Sequence, residues 1–383
     1  MNEGFREPRE IECNGRRLLL VFDGGNAPGY ASVAVALTEE AVKRGFEVWA
    51  ATEGFRSLTS DAMSTPRFER LIVGREDRYT LLSRGIPARS MGRRVRDAGS
   101  DFRSERYLGF LEPAKQAEAA ETLRAQGFTH VACVGGNGTF EGARALVPRI
   151  GGIPIGFVNV SIDNDLSGDR AIGFFSGVEA GATEARGLYE DSYTHKRTYL
   201  LEMMGNRSGR HALHCGVAAR AHLIVLPFIE LPRDVLTEIA EALDAASHAL
   251  VVVAEGYAAE ARRATNQSAS LYLAAQLAEV GLRDRKDKRV IAEPFSRYLR
   301  GVQPAYVDVS TAYLKASLLV DAFDAGRSEV MPYVLATNDV GLRAFVDVTR
   351  EDAVEPALLP LLTRLKLPRF SALARVLAGR VSS

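Results

Sequence analysis

Residues 17–29 have the sequence RLLLVFDGGNAPG, and this stretch decides the class of fold. Arg17–Phe22 is almost entirely apolar, which is typical of a strand buried on both faces. A Gly-Gly pair ends it, and Tyr30–Lys43 then has helical composition. The next apolar run, Phe46–Ala51, predicts a second strand. Strand, helix and strand in this order predict a βαβ unit and therefore a parallel sheet with right-handed crossovers.

The same arrangement recurs along the chain. Residues 113–126 have helical composition, His130–Val134 predicts a strand, and a second Gly-Gly loop follows it before another helix from about Thr139. Further strands are predicted at Ile153–Val158, Thr198–Glu202, Leu223–Leu226 and Ala249–Ala254, with helices at 233–245 and 268–280. Residues 56–105 are rich in Arg, Ser and Asp, so loops and short helices are expected there. We predict an α/β fold with two Rossmann-like three-layer αβα lobes and mostly parallel sheets.

The composition excludes several classes of partner. Lys plus Arg and Asp plus Glu each number 48, so the formal net charge is zero, and a nucleic-acid or membrane-surface binder would carry a basic excess. The three cysteines lie far apart, which fits a reducing cytoplasm better than a disulfide framework. The polar residues 1–16 are expected to form a leader without a secretory signal. No apolar run approaches the ~18 residues of a membrane span.

Both glycine loops have the chemistry of phosphate binding. The first is Gly24 to Gly29 (GGNAPG) and the second is Gly135 to Thr139 (GGNGT). Glycines let the backbone approach a ligand, and the following helix offers free N–H groups and a positive dipole end. Either loop alone could be a tight turn without a ligand, and neither matches a Rossmann GxGxxG or a P-loop motif. Two such loops at the carboxyl ends of parallel strands favour a phosphate ligand.

A pair of carboxylates follows a later strand, in Ser161-Ile162-Asp163-Asn164-Asp165. One carboxylate can accept a proton from a substrate hydroxyl, and the other can hold Mg²⁺. A solvated turn is the alternative for this motif alone. Beside two phosphate-binding loops, the motif indicates phosphoryl transfer.

Together and in this order, the three motifs resemble those of the phosphofructokinase family. That family has GGDAPG and GGDGS loops and a TIDND turn followed by an IGF segment. Here the turn is SIDND, followed by Ile172-Gly173-Phe174-Phe175. The resemblance covers about residues 17–310 and includes Glu255 on a predicted strand, Met204-Gly205-Asn206 in place of MGR, and Arg300–Pro304 in place of RGGSP. It implies a homodimeric or homotetrameric sugar-phosphate kinase of glycolysis that binds small molecules.

The resemblance also implies donor and catalytic roles. Asp163 would be the general base, Ser161 would stabilise the transferring phosphoryl group, and Asp165 would organise Mg²⁺ together with Asn137. The residues implied on the donor phosphates are Gly24, Gly25, Arg106, Gly136, Asn137, Gly138 and Thr139, the last through its hydroxyl. Residues 17–174 with about 300–350 would form the donor lobe.

The acceptor would bind in a second lobe, formed by residues 175–299 with 351–383. Arg197 and Arg300 would bind the phosphate of a sugar phosphate, with Arg197 reaching across a subunit interface. The residues implied on the acceptor side are Arg197, Met204, Gly205, Asn206, Glu255, Arg297 and Arg300.

Several positions depart from the family pattern. Asn26 and Asn137 replace the aspartates of the two glycine loops, and an amide offers Mg²⁺ an oxygen without a charge. Asn206 replaces the arginine of MGR, Arg297 replaces a histidine, and Arg289 is the nearest candidate for a further sugar-phosphate arginine. A neutral sugar or cyclitol acceptor therefore stays open, as does a non-catalytic regulatory homologue.

The donor can be argued from side-chain size. In the pyrophosphate-using branch of the family, a bulkier acidic residue occupies the position of Gly138 and a lysine precedes the catalytic turn. Here these positions are Gly138 and Val160, which favours ATP and leaves pyrophosphate as the alternative.

A nicotinamide dehydrogenase with Glu53 as its ribose-binding acid is disfavoured by the SIDND turn. The RHALHC segment, with His211, His214 and Cys215, is predicted to pack as a helix.

Overall fold

The structure is a computed structural model that describes residues 14–72, 80–81, 95–294, 297–336, 339–351 and 354–381. Most of the expected leader, residues 1–13, lies outside the described residues. The chain divides into two compact units. The first contains the chain up to Ser161, Leu166–Gly173 and Arg300–Arg350; the second contains Ile162–Asp165, Phe174–Leu299 and the chain from Glu351.

Each unit is built on a sheet flanked by helices. The strands are β1 (Arg17–Phe22), β2 (Glu47–Ala51), β3 (Phe68–Ile72), β4 (Thr80–Leu81), β5 (His130–Gly135), β6 (Ile155–Asn159), β7 (Thr198–Met203), β8 (Leu223–Val225), β9 (Ala249–Ala254), β10 (Val290–Pro294), β11 (Val330–Ala336) and β12 (Asp339–Ala344). The α-helices are α1 (Tyr30–Lys43), α2 (Pro113–Ala125), α3 (Asn137–Leu146), α4 (Phe174–His195), α5 (Arg210–Ala218), α6 (Arg233–Ala245), α7 (Ala259–Arg262), α8 (Ala269–Glu279), α9 (Tyr306–Asp324) and α10 (Pro368–Val381). Short 3-10 helices occupy Gly54–Leu58, Leu108–Leu111, Arg297–Gly301, Phe345–Asp347 and Pro356–Leu361.

The first unit contains a mixed sheet with the strand order β12-β11-β6-β5-β1-β2-β3-β4. Its centre is parallel, and Leu18 of β1 pairs with Val48 of β2 and His130 of β5. The pairings β2–β3, β3–β4 and β11–β12 are antiparallel. Alternate residues of β1, Leu19 and Val21, pack with residues of α2 and α3. Helices α1 and α9 pack against each other.

The second unit contains a smaller parallel sheet with the order β10-β7-β9-β8. Every residue of β9 is buried, so its ALVVVA sequence is the continuous apolar run of a strand covered on both faces. Helices α4 and α5 pack against β9, and α6 packs against α8. The α/β class with mostly parallel sheets is therefore confirmed.

Most of the predicted elements, including α3, are confirmed within two residues. Helix α3 starts at Asn137 rather than near Thr139, because Gly136 is its N-cap residue. The expectation of loops and short helices over residues 56–105 was wrong at β3 and β4, which extend the sheet there. Residues 73–79 and 82–94 of this range lie outside the described residues. Strand β3 is only five residues long and stands among charged residues, so its sequence does not show the alternation of apolar and polar residues that predicts a strand. It forms because the edge of β2 pairs with it.

Two smaller features complete the fold. The RHALHC segment lies in α5 as predicted, with His211 and Cys215 buried and the Cys215 sulfur 3.6 Å from Nδ1 of His211. Among the helices that the structure describes, none combines the length and hydropathy needed to cross a membrane.

Candidate functional site

The first glycine loop follows β1 and depends on two left-handed residues. Gly24 has a φ of 94° and Gly29 a φ of 101°, which favour glycine because a Cβ clashes there. The N–H of Gly24 donates to the carbonyl of Glu105 at 3.2 Å. This bond holds the segment that contains Arg106 beside the loop.

The second glycine loop approaches the first very closely. A Cβ on Gly135 would lie 2.2 Å from Oγ1 of Thr139 and 2.4 Å from the carbonyl oxygen of Asp23. Thr139, which is 1% exposed, donates its hydroxyl hydrogen to that carbonyl at 2.9 Å. The hydroxyl that the sequence assigned to the donor phosphates therefore links the two loops.

The start of α3 is open at Gly138. Among the described residues outside its own turn of helix, none has an atom within 4 Å of the position that a Cβ on Gly138 would occupy. The first N–H groups of a helix have no partner inside the helix, so this end can accept an anion. Gly136 lies beside the start of the SIDND motif, since its Cβ would be 3.3 Å from Oγ of Ser161.

Two arginines converge on Gly25. A Cβ on Gly25 would lie 2.7 Å from Nη1 of Arg300 and 3.3 Å from Nη2 of Arg106. The Arg300 guanidinium also donates to the carbonyl of Asn26 at 3.2 Å. In the described part of the chain, neither guanidinium is paired with a carboxylate. The sequence assigned Arg106 to the donor and Arg300 to the acceptor, whereas the structure brings both to the first loop.

A residue that the sequence analysis missed lies under these loops. Asp23 is 7% exposed, and burial raises the pKa of its carboxyl to about 7. The N–H of Phe55, which donates to Oδ1 at 3.3 Å, opposes the rise in pKa, and the Glu105 carboxylate adds to it. An acid at the end of a buried strand, directly before a Gly-Gly pair, was the signal available in the sequence.

The SIDND motif begins in the first unit. The N–H of Val160 donates to the carbonyl of Gly135 at 2.8 Å, and the N–H of Ser161 donates to that of Ile172 at 2.9 Å. These bonds close the base of the loop that carries the SIDND sequence. Ser161 is thereby held next to the second glycine loop.

In the second unit, contacts to the backbone hold the SIDND turn. Asn164 adopts a left-handed φ of 51°. Oγ of Ser208 lies 2.9 Å from the carbonyl of Asp163, and the Arg210 guanidinium donates to the carbonyl of Asn164. The N–H of Glu351 donates to the carbonyl of Asp165 at 2.8 Å, and Asp165 is buried.

These contacts position the two candidate carboxylates through the main chain. Ser208 and Arg210 were missed by the sequence analysis. Their only signal was their place directly after the predicted MGN motif.

Four of the seven predicted acceptor residues, Met204, Gly205, Asn206 and Glu255, meet at the ends of β7 and β9. Oε1 of Glu255 accepts the N–H groups of Gly205, at 3.2 Å, and Asn206. Met204 is half-buried and the Asn206 side chain is exposed. Burial raises the pKa of Glu202, which accepts the N–H of Ser270 at 3.2 Å. The structure thus brings Glu255 and the MGN turn together.

The predicted phosphate-binding arginine of this unit lies elsewhere. Arg197 precedes β7, whereas Met204 follows it, so six strand residues, or ~20 Å, separate them. Arg197 forms an ion pair with Asp191 at 2.8 Å, and the N–H of Thr198 donates to the carbonyl of Arg289 at 2.8 Å. Arg197 and Arg289 therefore stand directly before two neighbouring strands, β7 and β10. Arg297 is exposed on a 3-10 helix.

The residues present offer Mg²⁺ few ligands. Among the residues that the structure describes, no group of three or more His, Cys, Asp or Glu side chains could hold a metal ion. The candidates are the carboxylate of Asp165 and the amide of Asn137. Magnesium often uses one or two carboxylates and completes its shell with water and substrate phosphates. Asp165 and Asn137 each carry an oxygen of the type that Mg²⁺ takes as a ligand.

Comparison with known proteins identifies a family. The family model described as Phosphofructokinase matches residues 17–323. An ATP-dependent 6-phosphofructokinase from Streptococcus agalactiae is 30% identical over 244 residues, which are 63% of this chain and 65% of that protein. One from Clostridium perfringens is 29% identical over 252 residues, 65% of this chain and 72% of that protein. The chain thus spans slightly less than two thirds of the Streptococcus relative.

Solved structures share the fold. A pyrophosphate-dependent phosphofructokinase from Marinobacter aquaeolei superposes with a TM-score of 0.70 at 18% identity, covering 92% of this chain and 93% of that one. Phosphofructokinase from Saccharomyces cerevisiae gives 0.66 at 20% identity, covering 96% of this chain and 47% of that one. With the paired glycine loops and the SIDND turn, the match over residues 17–323 shows that the chain belongs to the phosphofructokinase family.

Proposed function

We propose that this protein moves a phosphoryl group from ATP to a hydroxyl of a sugar phosphate such as fructose 6-phosphate. One observation carries the proposal. Three neighbouring parallel strands, β1, β5 and β6, end in the first glycine loop, the second glycine loop and the SIDND motif. Ligands of α/β sheets bind at the carboxyl ends of such strands.

In the proposed reaction, the hydroxyl oxygen of the acceptor attacks the terminal phosphorus of the donor. Asp163 accepts the proton of that hydroxyl. Ser161, Arg106 and the N–H groups at the start of α3 stabilise the charge on the transferring phosphoryl group. The bond to the leaving phosphate oxygen breaks, and ADP carries away that electron pair. Bound Mg²⁺ would neutralise charge on the donor oxygens, with Asp165 and Asn137 as its candidate ligands.

The acceptor is assigned to the MGN turn and Glu255. Both N–H groups of the turn are held by this carboxylate, so Glu255 orients the turn and would line the sugar. Arg197 lies at the other end of β7 and cannot serve the same acceptor within one chain. This separation supports a homodimer or homotetramer in which Arg197, with Arg289, binds the sugar phosphate of a partner. Arg297 stays a candidate for that phosphate.

Two features support ATP as the donor. The Cβ position at Gly138 is open, as a donor with an α-phosphate and a nucleoside would require. Val160 stands where pyrophosphate-using relatives have a lysine. We therefore expect Gly138→Asp to lower turnover with ATP more than turnover with pyrophosphate. The resemblance and the two buried free cysteines, Cys133 and Cys215, support a cytoplasmic enzyme.

The decisive experiment measures turnover with ATP and with pyrophosphate against fructose 6-phosphate, free sugars and a cyclitol. We expect ATP with fructose 6-phosphate to be the best pair. Asp163→Ala should abolish transfer with unchanged circular dichroism, while Asp347→Ala, at an exposed position, should leave it intact. Retained turnover in Asp163→Ala would contradict the mechanism.

The same assay separates the alternatives. Turnover with pyrophosphate alone would reassign the donor, and turnover on a neutral sugar alone would reassign the acceptor. No turnover in the native protein, with a large gain in Asn137→Asp, would indicate a decayed enzyme with a regulatory role.

A further inference from the structure

A buried ion pair reaches the last residue of the strand that leads into the SIDND motif. Nζ of Lys315, on α9, lies 2.6 Å from Oδ2 of Asp169, and neither side chain is exposed. The same Oδ2 accepts a hydrogen bond from Nδ2 of Asn159 at 3.0 Å. Asn159 ends β6 and is followed by Val160 and Ser161. These three side chains, the buried triad, all belong to the first unit and join α9 to the end of β6.

The triad fixes residues 169–172, the segment of chain that returns from the SIDND motif to the sheet. Oδ1 of Asp169 accepts the N–H of Val334, on β11, at 3.0 Å. Lys315 also donates to the carbonyl of Arg170 at 2.7 Å, and the N–H of Arg170 donates to the carbonyl of Val334 at 3.1 Å. Because β6, β11 and α9 all hold Asp169 or its neighbour, the returning segment has little freedom to move.

The returning segment in turn holds Ser161. The N–H of Ser161 donates to the carbonyl of Ile172 at 2.9 Å, and the N–H of Ile172 donates to the carbonyl of Asn159 at 3.1 Å. Asn159 therefore binds the returning segment at two points, Asp169 through its side chain and Ile172 through its carbonyl. On its other side, Ser161 faces Gly136, whose Cβ would be 3.3 Å from Oγ. A shift of Asn159 would displace Ser161 relative to the second glycine loop.

Stability alone does not account for the triad. A buried ion pair seldom stabilises a core more than apolar side chains of similar size, because both charges lose their water. Among the residues that the structure describes, none gives a hydrogen bond to the buried Oδ1 of Asn159, which is a second cost. A leucine at residue 159 would avoid that cost. Costly polar groups beside a candidate site are typical of residues kept for function.

We propose that Asn159 is a positioning residue, which the Asp169–Lys315 ion pair holds and which sets the place of Ser161 for phosphoryl transfer. The proposal rests on the proposed function, in which Ser161 stabilises the transferring phosphoryl group. Asn159 has no contact with either substrate in that assignment and acts through the backbone of Ser161. Its effect belongs to kcat, because Ser161 stabilises a charge that develops in the transition state.

Asn159→Leu removes the bond to Asp169 and leaves the ion pair in place. We expect kcat with ATP and fructose 6-phosphate to fall about tenfold to a hundredfold, with both KM values within about threefold of the native ones. Thr311→Val is the matched control, because Thr311 lies on α9 one turn before Lys315 and its hydroxyl donates to the carbonyl of Val307 at 2.7 Å. It should lower the melting temperature by a few degrees without changing kcat.

Asn159→Asp keeps the size of the side chain and makes the bond depend on pH. The new carboxyl would face the Asp169 carboxylate, with Lys315 as the cation beside them, and two carboxylates this close do not readily ionise together. With one shared proton they keep a hydrogen bond, and without it they repel. The ratio of variant to native kcat should therefore fall as the pH rises from about 6 to about 9. A purely structural role would leave the ratio flat in the folded protein.

These kinetic measurements can reject the proposal. It is overturned if folded Asn159→Leu keeps the native kcat or raises a KM instead, or if the kcat ratio of Asn159→Asp does not change with pH. If Asn159→Leu does not fold, the ratio for Asn159→Asp decides.

Hydrogen exchange separates this proposal from the proposed function, because it needs no turnover. The N–H groups of Ser161 and Ile172 should exchange about tenfold faster in Asn159→Leu than in the native protein, and at the native rate in Thr311→Val. Faster exchange in Asn159→Leu, with no turnover by the native protein on any acceptor, would support the positioning and reject the kinase. Turnover by the native protein, with unchanged exchange and kcat in Asn159→Leu, would reject the positioning and keep the kinase.

Discussion

The hydroxyl of Thr139 donates a hydrogen bond to the carbonyl of Asp23 at 2.9 Å. The bond joins the first turn of α3 to the residue that follows β1. The same carbonyl lies 2.9 Å from the hydroxyl of Tyr30, which is fully buried in α1. One backbone oxygen therefore connects both glycine loops with the helices that follow them.

Thr139→Val should loosen this connection without emptying the core, because valine has nearly the same shape. We expect a loss of about 0.5–1.5 kcal/mol in the free energy of unfolding, since the Asp23 carbonyl keeps its bond from Tyr30. The KM of the donor should rise at least threefold. Urea unfolding and steady-state kinetics measure both effects, and Thr139→Ser, which keeps the hydroxyl, is the control. Unchanged kinetics in Thr139→Val would show that the link does not matter for donor binding.

Ser208→Ala should lower kcat roughly tenfold to a hundredfold, because Oγ of Ser208 holds the carbonyls of Asp163 and Gly205, and small displacements of a reacting group are costly. The melting temperature should fall by only a few degrees. Ser310→Ala removes a hydroxyl that bonds only within α9 and should leave kcat unchanged. Equal kcat in the two variants would remove Ser208 from the positioning of the catalytic turn.

Lys315→Met should cost about 3–5 kcal/mol, because it leaves the Asp169 carboxylate unpaired in the core. Nζ of Lys315 lies 2.6 Å from Oδ2 of Asp169, and both side chains are fully buried. Burial lowers the pKa of Lys315, while the Asp169 carboxylate opposes that shift. Chemical denaturation of the variant measures the loss.

The neutral double variant, Asp169→Asn with Lys315→Met, separates charge from packing. Asparagine can still accept the N–H of Val334, which now donates to Oδ1 at 3.0 Å. The double variant should recover at least half of the lost stability. If it is less stable than Lys315→Met, the unpaired charge is not the cause of the loss.

Acid should destabilise the protein through His130. Burial lowers the pKa of this histidine to about 4, and the Arg16 cation adds to the shift, whereas the unfolded chain titrates near 6.5. Between these values the unfolded state binds a proton that the folded state does not, so stability is full above pH 6.5 and falls as the pH drops toward 4.

The loss should be about 1–2 kcal/mol for this group, after allowing for solvent screening. His130→Gln removes the titration, so its unfolding free energy should depend less on pH over this range. If the unfolding free energies of the native protein and the variant depend on pH in the same way, His130 is not the group responsible.

Local patterns predicted much of the fold. Strand β1, helix α1 and strand β9 have the predicted bounds, because apolar runs and helix-ending glycines act within a few residues. Strands β3 and β4 were missed because β3 forms on the distant edge of β2, and β4 in turn pairs with β3, so neither depends on its own sequence alone. Asp23 was missed because an acidic residue after a strand is ordinary in a sequence. Its raised pKa comes from burial, which only the folded structure shows.

The sequence by itself determined the fold class, the family and the three motifs, because glycines at left-handed turns and paired carboxylates are local requirements of the chain. Only the tertiary structure decided which side chains reach these motifs. Arg300 bonds to Asn26 across 274 residues, and Ser208 meets Asp163 across 45. Such contacts follow from how strands and helices pack, since two residues distant in sequence become neighbours only when the core between them is complete.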